Sequence, residues 1–391
     1  MKNNLYLEYA AKAKNELTGN ILPFWANKVL LEHGKDFAGQ MTNDLTVIEN
    51  APKGIILISR ILWTFSAAYL ALGEPSYQAS ADAAFDLLKP FVDQSYSGVY
   101  WLLSANFEPV DTKKEIIAQA FAIYGLSEYY RAAKNESALK LAIELFHAVE
   151  NYSHDPHGTG YLDGHDRGWN LTGEPVKSFE THFNLMNAYT NLWRTWKDEL
   201  LQKRLKELLE IMMAEFTDSH YHQLHFFGMD WSPRENKVQF GHNIMTSWLF
   251  LDNARALGDL QLIEKAQDYA VKMAREVLRE GYDQEFGGIY QSITTPGQIN
   301  TDKVWWPQAE AVVGFLNAYE ISGDPQFLDA SLATWNFIEK YLVDREFGEW
   351  FNTTTKEGLV HKNLLKVSEW KCPYHNGRAC LEMIKRMKLK Q

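Results

Sequence analysis

Seven polar residues stand at the head of long apolar runs, and they are of the types that move protons. Arg60 precedes ILWTFS, Gln119 precedes AFAIYG, His182 precedes FNLMNAY and His242 precedes NIMTSWLF; Gln308 and Glu310 open AEAVVGFL, and His375 precedes NGRACLEM. Histidine both takes and gives a proton near neutrality, because its unperturbed pKa is about 6.5. Two such bases on opposite faces of a carbon can invert it, provided a neighbouring carbonyl makes that carbon acidic. The enediolate so formed needs cationic or hydrogen-bonding groups at its oxygens, a task for Arg60 or a third histidine.

Scattered residues can meet only if the fold repeats. Aromatic–glycine clusters punctuate the chain at Phe37-Ala38-Gly39, Tyr96-Ser97-Gly98, Gly158-Thr159-Gly160, Phe226-Phe227-Gly228, Phe286-Gly287-Gly288 and Phe347-Gly348. Their last glycines are 59, 62, 68, 60 and 60 residues apart. β-Forming residues beside them, such as Ile289-Tyr290 and Trp350-Phe351, predict turns or short hairpins. Between clusters the period is helical. The helix before each cluster is amphipathic, as in 202–216 and 263–280, so it keeps one wet face. The helix after each cluster is apolar nearly all round, as in 61–72 and 309–319, and must be buried. Six buried helices alternating with six half-exposed ones predict an all-α (α/α)6 barrel of six inner and six outer helices, with short β-hairpins at one rim. An open solenoid is the alternative. Six units fill residues 1–391, which predicts a single barrel domain.

The same repeat places the polar residues. Arg60 and Gln119 each follow their cluster glycine by 21 residues, His182 by 22, Gln308 by 20 and Glu310 by 22; His242 follows by 14 and His375 by 27. One histidine at a helix start is more often a cap or core residue than a catalyst. Recurrence at equivalent positions favours convergence on one mouth, the usual sign of a small-molecule site.

Composition bounds the partners. The chain has 391 residues, beyond the roughly 250–300 at which one core usually stops growing, so a large barrel or several domains are both permitted. Aromatic residues make up 14%, with 13 Trp, which suits the lining of a carbohydrate cleft. A net charge of −11 argues against nucleic acid or an anionic membrane surface as partner. Nucleotide, dinucleotide and serine-hydrolase motifs are absent, and so are HExxH and paired CxxC spacings; the reading is cofactor-free and metal-free. His220, His222 and His225 alternate as metal ligands can, but a loop–strand context speaks against it. Cys372 and Cys380 read as packing residues. The start, MKNNLYLEYAAKAK, has no apolar signal region, so a cytoplasmic chain is expected. No membrane span is expected, and a monomer is the default because a closed barrel covers its own core. A reducing sugar, once its ring opens, offers the acidic C2 that the histidines require, and Trp305, Trp306 and Trp370 would supply flat faces for sugar C–H surfaces.

The segments KGIILISRILWTFSAAYLALG (53–73), VWWPQAEAVVGFLNAY (304–319) and EWKCPYHNGRACLEMIKR (369–386) resemble the cellobiose 2-epimerase group of the N-acylglucosamine 2-epimerase superfamily of (α/α)6 barrels. The resemblance runs the full length, and WKCPYHNGR is specific to that branch. It implies metal-free, reversible epimerisation at C2 of an unphosphorylated reducing sugar, between glucose and mannose configuration. It implies that His242 and His375 are the two bases, acting through a cis-enediol and rotation about C2–C3. His182 would polarise the carbonyl oxygen, Arg60 would hold sugar oxygens, and Trp306, Glu310 and Trp370 would contact the sugar, with Gln119 nearby on the second inner helix. Disaccharides such as cellobiose or mannobiose, and monosaccharides such as D-mannose, are both implied as substrates.

The departures from that pattern are specific. The GHxxE motif of the group reads Gly241-His242-Asn243-Ile244-Met245, so a Met replaces the glutamate. Ile117 stands where a Tyr is expected, Ser178-Phe179-Glu180-Thr181 replaces an Asn-Thr-His pattern, and LEAY becomes Met186-Asn187-Ala188-Tyr189. Losing a carboxylate beside His242 removes a group that would hold its tautomer. An aldose–ketose isomerase returning the proton to C1 is the rival reading. A glycoside hydrolase would leave the histidines unexplained, and a weakly active sugar-binding relative would tolerate their loss.

Overall fold

The computed structural model describes residues 2–234, 237–295 and 297–388. Two concentric rings of helices wind around one axis. The inner ring is α2 (Ile55–Leu72), α4 (Ile116–Ala133), α6 (Phe179–Trp193), α8 (Phe240–Leu257), α10 (Trp305–Ser322) and α12 (Tyr374–Lys388). The outer ring is α1 (Lys2–Glu16, continued by wider turns to Val29), α3 (Pro75–Leu88), α5 (Glu136–Tyr152), α7 (Glu199–Ala214), α9 (Leu260–Glu276) and α11 (Pro325–Phe337). The (α/α)6 expectation holds, and the inner helices begin two to six residues earlier than their apolar runs suggest. Four of them, α2, α6, α8 and α10, start directly after a two-residue strand, as at Lys53-Gly54 before α2 and Lys303-Val304 before α10. The polar residues therefore sit inside the first turns rather than ahead of them.

The two rims are built differently. At one rim, four inner helices pass to outer ones through two-residue links, and α6 passes to α7 through five residues. Gly73, Lys134, Gly258 and Gly323 take left-handed conformations that end the inner helix. Asn135, Asp259 and Asp324 then cap the next helix through their side chains, and Pro75 and Pro325 open theirs. At the other rim, long hairpin connections run from outer to inner helix, and the site lies there.

Those hairpins share a buried device. Asp93, Asp155 and Asp283 each receive the backbone N–H groups of the turn on one carboxylate oxygen and a buried lysine on the other. The lysine contacts are Lys114–Asp93 at 3.0 Å, Lys177–Asp155 at 2.9 Å and Lys303–Asp283 at 2.7 Å. Lys366–Asp344 and Lys53–Asp36 repeat the pairing. A buried charge is tolerated because it is paired and hydrogen-bonded at once. Strands then stitch unit to unit: Lys53-Gly54 pairs with Leu102-Leu103, Lys177-Ser178 with Phe226-Phe227, and Lys303-Val304 with Thr353-Thr354. The N–H of Met41 donates to the carbonyl of Val367, which joins the sixth unit to the first.

One inner helix, Ile55–Leu72, has the length and hydropathy of a bilayer span, but 78% of it is buried inside the barrel. Its apolarity belongs to the wall between the rings, and Arg60 on it points to the site.

Candidate active site

A cavity of about 350 Å³ opens at the hairpin rim, lined by residues from all six inner helices and one connecting segment. Arg60 comes from α2, Ile117 and Phe121 from α4, Phe179, Glu180, Phe183 and Asn184 from α6, His242 and Met245 from α8, Trp306 from α10, and Tyr374 and His375 from α12; Trp370 precedes α12.

Trp306 is the floor between the two histidines. Its ring lies 5.1 Å from that of His242 and 5.3 Å from that of His375. It reaches that place because residue 241 is glycine: a Cβ there would meet the Trp306 ring at 2.6 Å. His375 is oriented by Glu310, whose Oε1 accepts from Nδ1 at 2.7 Å, which leaves Nε2 as the free basic nitrogen. Glu310 also accepts from Trp248 Nε1 at 3.0 Å and is paired with Arg378. Burial opposes its ionisation, but Arg378 and His375 outweigh that and hold it at about 2. Burial drives His242 down to about 3, and His375 to about 4, where Glu310 opposes the fall. Both rings are therefore neutral near pH 7 and able to accept a proton.

Arg60 is clamped rather than free. Its guanidinium lies 4.2 Å from the Phe121 ring centroid and 5.3 Å from that of Tyr374, and Nη1 donates to the Trp370 carbonyl at 3.2 Å. Trp370 is 46% exposed and stands 6.0 Å from Trp101 at the mouth, while Trp305 is buried against His375.

Among the sequence-predicted residues, His242, His375, Arg60, Trp306 and Trp370 line this cavity, and Glu310 stands directly behind His375. His182 and Gln119 do not line it. The Tyr161 N–H donates to His182 Nε2 at 2.9 Å, and His182 Nδ1 donates to the Ser178 carbonyl at 2.7 Å, so neither nitrogen is left for a substrate. Gln119 accepts from the Val99 N–H and donates to the Val99 carbonyl, and Gln308 does the same with Ile289. These three side chains tie each hairpin to its inner helix. At Gln119, His182 and Gln308 the offsets of 20 to 22 report that tie; Arg60 shares the offset but faces the cavity, and the outlying offsets of 14 and 27 belong to the two histidines that line it.

A family model described as N-acylglucosamine 2-epimerase (GlcNAc 2-epimerase) matches residues 37–377. The chain belongs to the N-acylglucosamine 2-epimerase family. It is 39% identical over 382 residues to a cellobiose 2-epimerase of Bacteroides fragilis, covering 95% of this chain and 97% of that one. A cellobiose 2-epimerase of Dictyoglomus turgidum is 34% identical over 95% and 97%. A solved sugar epimerase from a ruminal bacterium superposes with a TM-score of 0.91 at 34% identity, over 96% of this chain and 98% of that one. A D-mannose isomerase, at 18% identity and a TM-score of 0.83 over 98% and 97%, shares the fold. As a member of the N-acylglucosamine 2-epimerase family, the chain is an isomerase acting on carbohydrates, a sugar C2 epimerase.

Sequence reasoning missed three residues in and behind the wall of this cavity. Glu180 and Asn184 line the cavity from α6, one helical turn apart, and His225 stands behind His242 with rings 4.9 Å apart. The signal for the α6 pair was their spacing on one face, which also exposes them to the axis. The histidine trio separates: His222 lies 3.0 Å from Glu280, whereas His225 turns to Glu180 at 3.4 Å. Glu180, His225 and His242 offer atoms within 4.8 Å of one another.

Proposed function

We propose that the chain interconverts glucose and mannose configuration at C2 of an unphosphorylated reducing sugar, by two-base proton transfer between His242 and His375. One neutral imidazole removes the C2 proton of the open-chain aldose, and the electron pair delocalises onto C1 and its oxygen as a cis-enediolate. Rotation about C2–C3 presents the other face, where the second imidazole, having taken up a proton from solvent, delivers it to C2, while the first releases the abstracted proton to solvent. Glu310 favours the protonated form of His375, so His375 is the more readily charged of the two. Arg60 faces the developing oxyanion, and Trp306 bears the sugar's C–H surface.

The observation that carries the reading is the placement of two neutral, buried imidazoles against the same Trp306 ring in one closed-ended cavity. One arginine and one glutamate are the charged groups lining it, which favours a neutral sugar over a phosphorylated one. A volume near 350 Å³ lies at the low end of the roughly 300–1,000 Å³ usual for ligand sites, so it suits one sugar unit. A second unit, as in cellobiose or mannobiose, would extend over Trp370; D-mannose or D-glucose would need only the inner part. The reaction needs no cofactor in this scheme, and the working form is a cytoplasmic monomer.

Incubation with D-mannose and, separately, cellobiose in D2O, followed by NMR at C2, tests it. The expected product is the C2 epimer carrying solvent deuterium, absent with His375→Ala. Fructose as the product from mannose would instead establish the isomerase, and no exchange in either sugar would overturn both.

A further inference from the structure

Two unpartnered atoms in the cavity wall complete each other. His242 Nδ1 and His225 Nε2 are both buried without a hydrogen-bond partner, and their rings are 4.9 Å apart, inclined at 45°. The opposite nitrogen of His225, Nδ1, faces Glu180 Oε1 at 3.4 Å. Burial opposes ionisation of Glu180, but the hydrogen bond from His225 outweighs it and keeps the carboxyl below its ordinary range. His225 itself is 2% exposed, and its carbonyl accepts from the Phe179 N–H at 2.8 Å, which pins it to the start of α6. The Phe179 ring covers both imidazoles, at 5.2 Å from His225 and 4.8 Å from His242.

We propose that Glu180 and His225 are positioning residues for His242, forming a relay in which Glu180 accepts from His225 Nδ1–H and His225 Nε2 accepts from His242 Nδ1–H. The proposal rests on His242 being a base. Its consequence is a single tautomer, with His242 Nε2 unprotonated and available to the substrate. The relay also accounts for Met245. Residue i+3 from His242 shares its helix face and could have carried a carboxylate, yet Met245 offers none. The carboxylate instead arrives from α6 through a second imidazole. The relay and a metal ion are alternative occupants of the trio, and the relay is the reading in which both unpartnered nitrogens find a partner within the wall.

The test is a set of variants assayed for kcat, KM and pH profile, with 15N NMR of the histidines as a readout independent of turnover. His225→Phe is expected to lower kcat about 10- to 100-fold while KM stays within about threefold, and to convert the His242 signal from the Nδ1–H form to a tautomer mixture. His225→Gln should recover most of the rate, since one amide can accept from His242 and donate to Glu180. Adding Met245→Glu to His225→Phe should also restore rate, by offering His242 a carboxylate from its own helix. Glu180→Gln combined with His225→Phe should be no slower than His225→Phe alone, because members of one relay do not add. The charged and titratable groups facing His242 are Glu180 from α6, His225 and Lys237 from the segment before α8, and His375 from α12, so a shift of the acid limb is read against that set. Wild-type kcat in folded His225→Phe, additive losses, or an unchanged 15N spectrum would overturn the relay. So would activity lost to a chelator and restored by zinc. If the wild-type enzyme itself exchanges no C2 proton, the reading of His242 as a base falls, and the 15N spectrum still decides whether the hydrogen-bonded relay exists.

Discussion

Gly160 and His182 compete for one space: a Cβ on Gly160 would lie 2.5 Å from His182 Nε2. Gly288 and Gln308 stand in the same relation, with 2.5 Å to Oε1, and Gly98 would meet Gln119 at 3.1 Å. Each of these glycines also has φ between 76° and 84°, a conformation that favours glycine. Turn and helix are thus fitted to each other by a missing side chain and a bracing one.

His182→Ala should therefore act on stability rather than chemistry. It leaves the buried Tyr161 N–H without an acceptor, at a cost of about 1–3 kcal/mol. Urea unfolding should show that loss, while kcat of the folded variant stays within about threefold. A folded variant slowed a hundredfold would return His182 to the chemistry.

Glu310→Gln should do the reverse. The amide keeps the shape but removes the charge that raises the His375 pKa, so His375 protonates at still lower pH. The acid limb of kcat/KM should move down in pH, and kcat should fall about 10- to 100-fold because protonated His375 becomes scarcer. An upward shift of that limb would contradict the assignment.

Trp370→Ala should separate the substrates. Trp370 lies at the mouth rather than the floor, so KM for cellobiose should rise about tenfold, roughly the 1.4 kcal/mol of one stacking contact, while D-mannose changes little. Equal effects on both sugars would place Trp370 against the reacting unit.

The buried Asp–Lys pairs set the acid limit of stability. Burial opposes ionisation of Asp155 and Asp283, but the hydrogen bonds from Lys177 and Lys303 outweigh it and hold both below the ordinary 3.8. A folded pKa below the unfolded one means the stabilisation is present above that ordinary value and lost as pH falls through the folded value. Denaturant midpoints should fall below about pH 4. Lys303→Met should cost about 3–5 kcal/mol at pH 7 by stranding Asp283, and adding Asp283→Asn should return part of it.

Architecture was legible because the repeat imposes one spacing on turn glycines and one polarity on each ring. Helix starts were less so: Ile55-Ile56-Leu57 and Trp305-Trp306 are strong β-formers directly after a strand, and only the closed ring makes them helical. In the site, His242 and His375 stood out by sequence context, but His182 shared that context for a different reason. A bracing side chain and a cavity-facing one both need a polar residue near the start of an inner helix. Glu180, Asn184 and His225 stayed hidden because their meeting with His242 depends on how α6, a hairpin and α8 pack, which no local pattern records.

His375 and Arg378 lie on α12, which packs on α1, and the outer end of that seam is fastened by Trp25 Nε1 to Glu349 at 2.6 Å and Trp350 Nε1 to Glu16 at 2.7 Å. α1 and α12, far apart along the chain, thus close the ring on each other. Without α12, α1 has no neighbour on one side and the cavity lacks the wall that carries Tyr374 and His375. Ring closure and completion of the cavity are therefore one event, and a chain cut between α11 and α12 keeps His242 without its counterpart.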